Sequence, residues 1–498
     1  MIQVVVRADA SARLGTGHLR RCLALARALV DCGAAVRFLA HPLDGSARAL
    51  LGRLPFDTLW LPETTLPEDP QAVLALLRGS GTELLVVDHY RLGAEWHEAV
   101  RHGLGCRLAV IDDLADRLLA PDLLVDPNFH PDHALKFAGR LSREPKWLVG
   151  PRFALLDPAY ASAPRYRFRE TVQSIGIFMG GSDPTDACSA ALQACREVAG
   201  FAGSIEVVSS RLSPHFEGLQ SACARWPDTG LLADLPDLAG FFARHDLQLG
   251  AGGGATWERC CIGAPTIACL VAENQMATLP HLQALGVLVW ADGRPNLAKS
   301  LGASLRQLLD DPMRRRELGQ RGARLVDGRG AARVAAVLAG VAAVGLRPRP
   351  AQAGDAQLLL DWANDPLVRS NAFSVQTITA PQHAQWLQER LANPGRCRIF
   401  IIEASNGIPV GQVRFDWREP CWEIGYSVDA LFRQTGLARP MLQVALAAFA
   451  PVAASAQIVG RVKFDNPASA QVFRRLGFVQ SEAVDERGSY WLFSRDQA

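Results

Sequence analysis

The stretch that decides the fold opens the chain: Ile2-Gln3-Val4-Val5-Val6, then Arg7-Ala8-Asp9-Ala10-Ser11, then Gly15-Thr16-Gly17-His18. The apolar run over 2–6 reads as a β-strand. Past the glycines, Leu19, Cys22, Leu23, Leu25, Ala26 and Leu29 recur at helical spacing. A glycine turn therefore joins a strand to a helix and sets a histidine at the helix start. Main-chain N–H groups there favour an anion, and glycines let a ligand come close to the backbone. A histidine in that place exchanges a proton near neutral pH. The combination points to phosphate or nucleotide-sugar chemistry.

Working outward, the same strand–helix alternation continues, with strands expected over 36–39, 84–88, 108–112 and 123–125. A connector over 150–169 is followed by a second series. Its first strand, 174–179, ends in Gly180-Gly181-Ser182-Asp183-Pro184, and others follow over 204–208, 247–249, 266–269 and 287–290. Arginine-rich helices run to about 344. The expected class is α/β, with two Rossmann-like lobes over 1–155 and 170–344 and a cleft between them.

Leu346-Arg347-Pro348-Arg349-Pro350 reads as a linker. The pattern then changes to an α+β domain over 346–498. Helices are expected over 356–364, from about 440, and over 469–476. Strands are expected over 397–403, 411–416, 422–428, 457–462 and 489–493.

Composition narrows the classes. A chain of 498 residues exceeds one ordinary core. With 49% hydrophobic residues, 20% charged and a net charge of +2, it has no broad electrostatic footprint for nucleic acid. No apolar stretch approaches the ~20 residues of a membrane helix, so no membrane insertion is expected. Arg7 and Asp9 interrupt any secretory signal core. The eleven cysteines are scattered without a CxxC, and Cys260-Cys261 are adjacent. Reduced cytoplasmic thiols are expected, and no metal site.

Four further clusters fall at expected strand ends. Gly250-Ala251-Gly252-Gly253-Gly254 precedes a helix carrying Glu258. Such a loop offers many N–H donors to a diphosphate, and Glu258 could accept from ribose hydroxyls. A tight turn needing glycine for its backbone alone is the competing reading. Asp88-His89-Tyr90 and Glu273-Asn274-Gln275 each follow a strand, at the edge where open α/β sheets bind ligands. Asp112-Asp113 is read as loop structure in preference to a metal site.

These residues carry a resemblance. Arg7-x-Asp9-x-Ser11 with Gly15-x-Gly17-His18, Asp88-His89-Tyr90, Met179-Gly180-Gly181-Ser182-Asp183, Glu258 with Gly263 and Pro265, and Asn274-Gln275 come in one order. In that order they resemble the UDP-sugar hydrolases of pseudaminic acid biosynthesis, which share a two-lobed fold with MurG-type glycosyltransferases. The run Gly252–Gly254 departs from relatives that carry Ser or Thr there. The resemblance implies hydrolysis of a UDP-linked diacetamido-trideoxy-altropyranose to UDP and free sugar. It implies His18 as base, with Tyr90 and Asn274 orienting water or sugar. Asp9, Gly15, Gly17, Gly181, Gly252, Gly253, Gly254, Glu258 and Gln275 would bind substrate. A true glycosyltransferase and a non-catalytic nucleotide-sugar-binding protein remain the rivals.

In the last domain, Arg433-Gln434-Thr435-Gly436-Leu437-Ala438 lies between a strand and a helix. Successive N–H groups there suit a pyrophosphate. With Trp422-Glu423-Ile424-Gly425-Tyr426 before it, and Asn466-x-x-Ser469, Phe473 and Leu476-Gly477-Phe478 after it, the region resembles the GNAT N-acetyltransferases. That implies acetyl-CoA as co-substrate, contacted by Val413, Arg433, Gln434, Gly436, Ala438 and Asn466. Phe473 stands where that family often has an acidic tyrosine. Glu423 is either a base acting through water or a solvated carboxylate. Acetylation of a UDP-linked amino sugar followed by hydrolysis would make the two parts consecutive.

Overall fold

The computed structural model describes residues 1–9, 17–41, 51–52, 54–63, 65–181, 183–235, 237–293, 296–340, 345–453, 456–486 and 488–495. Gly15, Ser11 and Ser182 lie outside them. The chain divides into two compact units, Met1–Leu338 and Ala339–Ala498.

The first unit contains two parallel sheets. The first is built from β1 (Gln3–Ala8), β2 (Ala35–Ala40), β3 (Thr58–Trp60), β4 (Leu84–Asp88), β5 (Arg107–Ile111), β6 (Leu123–Asp126) and β7 (Lys146–Val149). Their order is β3-β2-β1-β4-β5-β6-β7, so the winding reverses between β1 and β4. Both strands are buried almost throughout, as strands covered by helices on both faces must be. The register sets Ala8 beside Asp88, so the carboxyl ends of β1 and β4 meet at the reversal, where open α/β sheets leave a crevice.

The second sheet repeats the plan with β8 (Ser174–Phe178), β9 (Ser204–Ser209), β10 (Thr229–Ala233), β11 (Leu247–Ala251), β12 (Thr266–Cys269) and β13 (Val289–Ala291). Its order, β10-β9-β8-β11-β12-β13, puts the reversal between β8 and β11. The turn after β8 and the glycine loop after β11 therefore flank a second crevice. Ile175, Ile177, Leu247, Leu249 and Ile267, all fully buried, centre the core beneath it.

The second unit is one mixed sheet, in the order β14-β15-β16-β17-β18-β20-β19. The strands are β14 (Arg347–Pro350), β15 (Cys397–Glu403), β16 (Pro409–Arg418), β17 (Cys421–Val428), β18 (Ile458–Lys463), β19 (Val479–Asp485) and β20 (Gly488–Arg495). The stretch read as a linker is thus an edge strand, with Arg347 opposite Glu403 and Pro350 opposite Phe400. Prolines are tolerated there because an edge strand leaves one row of backbone groups unpaired. β17 and β18 run parallel but pair only at Trp422–Ile458 and Glu423–Val459. Beyond Glu423 they part, which frees the backbone of 424–428 on that side.

Candidate active site

His18 is the second residue of the first helix, Gly17–Asp31, and its ring faces the end of β4. Nδ1 lies 2.7 Å from Asp88 Oδ1 and 3.2 Å from the Arg21 guanidinium. A guanidinium only donates, so the carboxylate is the partner that fixes the tautomer. In the neutral ring that places the proton on Nδ1 and the lone pair on Nε2. Arg21, one turn further on, grips Asp88 through Nε and Nη2, each at 2.6 Å. Burial would raise the Asp88 carboxyl, but Arg21 and His18 beside it hold it well below the usual carboxylate range. Asp88 is therefore an anion with no exposed surface, a state that only such pairing sustains.

Tyr90 packs edge-on to His18, with ring centres 4.4 Å apart. Its hydroxyl donates to Asp113 Oδ1 at 3.0 Å, and Asp113 Oδ2 accepts from Asn128 Nδ2 at 3.2 Å. Burial and Asp113 push the phenol well above its ordinary pKa, so it stays protonated. Asp113, read from sequence as loop structure, holds Tyr90. Arg21 and Asn128 went unnoticed because neither belongs to a local motif. Asp113, Asn128 and Tyr90 come together only because β4, β5 and β6 are neighbours.

Asp9 lies on the other side of β4. It pairs with the buried Arg7, meets His89 Nε2 at 3.2 Å and accepts from the His41 amide at 2.9 Å. Burial would lift its carboxyl, yet His89 and Arg7 keep it well below normal. Asp9 and His18 therefore sit in separate hydrogen-bond networks, and among the described residues a Cβ on Gly17 would meet nothing within 4 Å.

In the second lobe the glycine loop separates into two kinds of position. None of Gly250, Gly252, Gly253 and Gly254 has positive φ, so no left-handed turn demands them. A Cβ on Gly250 would meet the Arg259 guanidinium and Phe178 O, and one on Gly252 would come within 2.8 Å of Leu279. Those two serve packing. Among the described residues a Cβ on Gly254 would meet nothing within 4 Å, and one on Gly253 only the Gln275 amide at 3.5 Å. Among the described residues the amides of Gly253, Gly254 and Ala255 meet no acceptor. Three neighbouring donors at the start of the helix Ala255–Ile262 form a cradle for an anion.

Glu258 lies on that helix. Among the described residues its Oε2 is buried with no hydrogen-bond partner, and burial raises its pKa despite Arg20 and the Tyr160 hydroxyl nearby. A buried acceptor left unpaired is costly and calls for a donor. Gln275 accepts from the Val271 amide at 3.1 Å and faces Gly253, while Asn274 beside it is exposed. Gly181 is also exposed, but the helix start nearest it is closed to an anion. Asp183 accepts from the amides of Ala187 and Cys188, both at 2.9 Å.

In the second unit, Gln434 and Gly436 adopt φ of 63° and 78°. Alternating left-handed residues turn successive N–H groups to one side, which makes a nest for an anion ahead of the helix Ala438–Ala453. Val413 is buried opposite Tyr426 in the β16–β17 ladder. Arg433 is tied back to Asp365 at 2.7 Å and to Val428 O, so its head belongs to the scaffold. Asn466 caps the last helix, accepting from the Ser469 amide at 3.1 Å. Glu423 is held by Arg461 at 2.8 Å, which makes it an ion-pair partner instead of a free base. Phe473 is buried against Phe493, and Tyr426 donates to Ser469 Oγ at 3.0 Å beside it.

Among the described residues no group of three or more His, Cys, Asp or Glu is arranged to hold a metal. None of their helices is long and apolar enough to cross a membrane.

This architecture is a two-lobed α/β fold of the GT-B type followed by a GNAT domain. Residues 346–479 match the acetyltransferase (GNAT) domain family. MurG of Acinetobacter baumannii shares the two-lobed fold, with a TM-score of 0.51 at 13% identity over 68% of this chain and 99% of that one. Two relatives are similar in sequence. The spore coat polysaccharide biosynthesis protein SpsG of Bacillus subtilis is 28% identical over 192 residues, 38% of this chain. That match spans only 57% of SpsG. The UDP-2,4-diacetamido-2,4,6-trideoxy-beta-L-altropyranose hydrolase of Campylobacter jejuni is 24% identical over 288 residues, 57% of this chain and 97% of that protein. The chain thus joins a region similar to these proteins to a GNAT acetyltransferase domain.

Proposed function

We propose that the first unit hydrolyses a UDP-linked 2,4-diacetamido sugar to UDP and free sugar, and that the GNAT domain acetylates the amino-sugar precursor with acetyl-CoA. The observation that carries the hydrolase reading is the His18–Asp88 pair, with Nδ1 bonded at 2.7 Å and Nε2 left to act as base. The hydrolase of Campylobacter jejuni is the relative that suggests the substrate.

In this reading Nε2 takes a proton from water while the water oxygen bonds to the anomeric carbon. The bond from that carbon to the diphosphate oxygen breaks, and UDP leaves with the electron pair. The imidazolium is stabilised by Asp88, in the way a buried carboxylate supports a catalytic histidine. The free amides of Gly253, Gly254 and Ala255 take the charge growing on the diphosphate. Glu258 takes the ribose hydroxyls. Tyr90, protonated and held by Asp113, gives direction to water or sugar. Exposed Asn274 would reach the sugar from the second lobe.

In the GNAT domain the nest at 434–436 suits the pyrophosphate of acetyl-CoA, and the side of 424–428 away from β16 suits an extended pantetheine arm. An amine nitrogen attacks the thioester carbonyl and loses a proton to solvent, the carbon–sulfur bond breaks, and the thiolate takes a proton. With Phe473 lacking a hydroxyl, the Tyr426–Ser469 pair is the donor at hand.

Proton NMR of the purified chain with the UDP-linked 4-amino precursor, with and without acetyl-CoA, tests both parts. UDP and free diacetamido sugar formed only with acetyl-CoA support the order proposed. Turnover that requires an added sugar acceptor would instead make the first unit a glycosyltransferase.

A further inference from the structure

Asn128 joins two networks that belong to different lobes. It follows β6 in the first lobe, where its amide donates to Asp126 at 3.0 Å and its carbonyl accepts from His133 Nε2 at 3.1 Å. Its side chain uses both ends. Nδ2 donates to Asp113 Oδ2 at 3.2 Å, and Oδ1 accepts from Trp257 Nε1 at 3.1 Å. Since only one orientation of the amide serves both neighbours, each bond fixes the other.

The two ends lead to the two working parts of the cleft. Trp257 is buried, sits one residue before Glu258, and belongs to the helix whose start carries the free amides. Asp113 receives the Tyr90 hydroxyl, and Tyr90 packs against His18. A continuous path therefore runs from the anion cradle of the second lobe to the base of the first, crossing between lobes at Asn128. Phe129 and His130 beside it also pack against His281 of the second lobe, with ring centres 6.4 and 5.7 Å away, but such packing orients no hydroxyl. A polar bridge does both and breaks whenever the lobes part.

We propose that Asn128 is a positioning residue that makes the alignment of Tyr90 and His18 depend on docking of the nucleotide-holding helix. The inference rests on the nucleotide-sugar reading above. Docking of the Ala255–Ile262 helix brings Trp257 to Asn128. The amide then holds Asp113, Asp113 holds Tyr90, and the base meets its water in one geometry. With the helix withdrawn, Asn128 loses its acceptor role and Tyr90 loses one of its supports. The cleft then holds a base that is not aligned.

The test uses the full chain, with UDP as probe. Trp257→Phe keeps the aromatic packing and removes only the indole N–H, and Asn128→Ala cuts the same link from the other lobe. Imidazole signals of His18 are followed by nitrogen-edited NMR, with UDP affinity measured separately by calorimetry. UDP is expected to shift the His18 signals of the wild type. Each variant should keep UDP affinity within about twofold yet lose that shift. Turnover should fall roughly tenfold, the scale of one hydrogen bond, with KM little changed. The double variant should be no slower than the slower single one, because both cut one path. A His18 shift that persists in both variants, or losses that multiply, would overturn the relay. UDP binding that leaves the wild-type His18 unmoved overturns it alone, whereas a wild type that fails to bind UDP overturns the nucleotide-sugar reading as well. A folding defect in one variant leaves the other to report.

Discussion

His18 and Asp88 are seventy positions apart and bond at 2.7 Å, because β1 and β4 are neighbours at the point where the first sheet reverses. The helix that follows β1 must turn across the end of β4. The carboxylate at that end is then the natural partner for a ring nitrogen in the first helical turn. The bond orients the ring, and in the neutral imidazole it puts the proton on Nδ1 and leaves the lone pair on Nε2.

His18→Asn removes the proposed base while Asp88 and Arg21 remain paired with each other. Turnover of the UDP-linked sugar should fall by about 10²–10⁴-fold, the usual worth of a general base. UDP affinity should stay within about twofold. UDP-release kinetics and calorimetry check this, and unchanged turnover would remove His18 from the mechanism.

Glu258→Gln separates function from stability. Burial raises the Glu258 pKa, so ionising it costs stability as pH rises through and above its ordinary range. The amide carries no such cost and should leave the protein as stable or more so at pH 7. Nucleotide affinity should drop by about tenfold or more, since a charged acceptor is replaced by a neutral one. Thermal melts at several pH values, with and without UDP, measure both effects.

Gly252→Ala and Gly254→Ala should fail in opposite ways. A Cβ on Gly252 collides with Leu279, and overpacking of that kind costs about 1–3 kcal/mol. A Cβ on Gly254 enters open space and should leave the melting temperature nearly unchanged. It would, however, stand in front of the free amides and weaken UDP binding. Equal UDP affinity in Gly254→Ala and wild type would mean that the diphosphate lies elsewhere.

His97 sets a pH limit on the fold. It is fully buried, its Nδ1 accepts from the Ala120 amide at 3.2 Å, and burial pulls its pKa down to about 3. An unfolded histidine titrates near 6.5. Above that value His97 costs nothing. As pH falls from 6.5 toward 3, only the unfolded chain takes up the proton, and stability is lost at up to about 1.4 kcal/mol per pH unit. Urea titrations of the wild type and His97→Gln between pH 7 and 5 should show a shallower decline in the variant.

Tyr426→Phe keeps the ring against Phe473 and removes the hydroxyl bonded to Ser469. Acetyl transfer should slow by about tenfold or more with the Kd for CoA unchanged. A rate equal to wild type would show that the thiolate takes its proton from another source.

The strands that sequence reading missed share one property. β3, β7, β10, β14 and β19 all lie at sheet edges. An interior strand is buried on both faces and appears as a continuous apolar run, as 84–88 and 266–269 do. An edge strand is half solvated, so Thr58–Trp60 or Val479–Asp485 carries no comparable signal. Arg347–Pro350 went further and looked like a linker, because the prolines that mark linkers are also admitted at an edge.

By itself the sequence determined the two winding lobes and the α+β end domain, because interior strands and helix faces write their burial into local periodicity. It also marked His18, Tyr90, Glu258 and the glycine loop, since a strand end followed by glycine and a helix is a local pattern. Only the tertiary structure decided that Asp88 and Arg21 serve His18, that Asp113 serves Tyr90, and that Arg433 and Glu423 are bound into the scaffold. It also divided the glycines between packing and open cradle. Those assignments depend on which strands become neighbours, a choice made by hydrogen-bonded register between segments far apart in the chain.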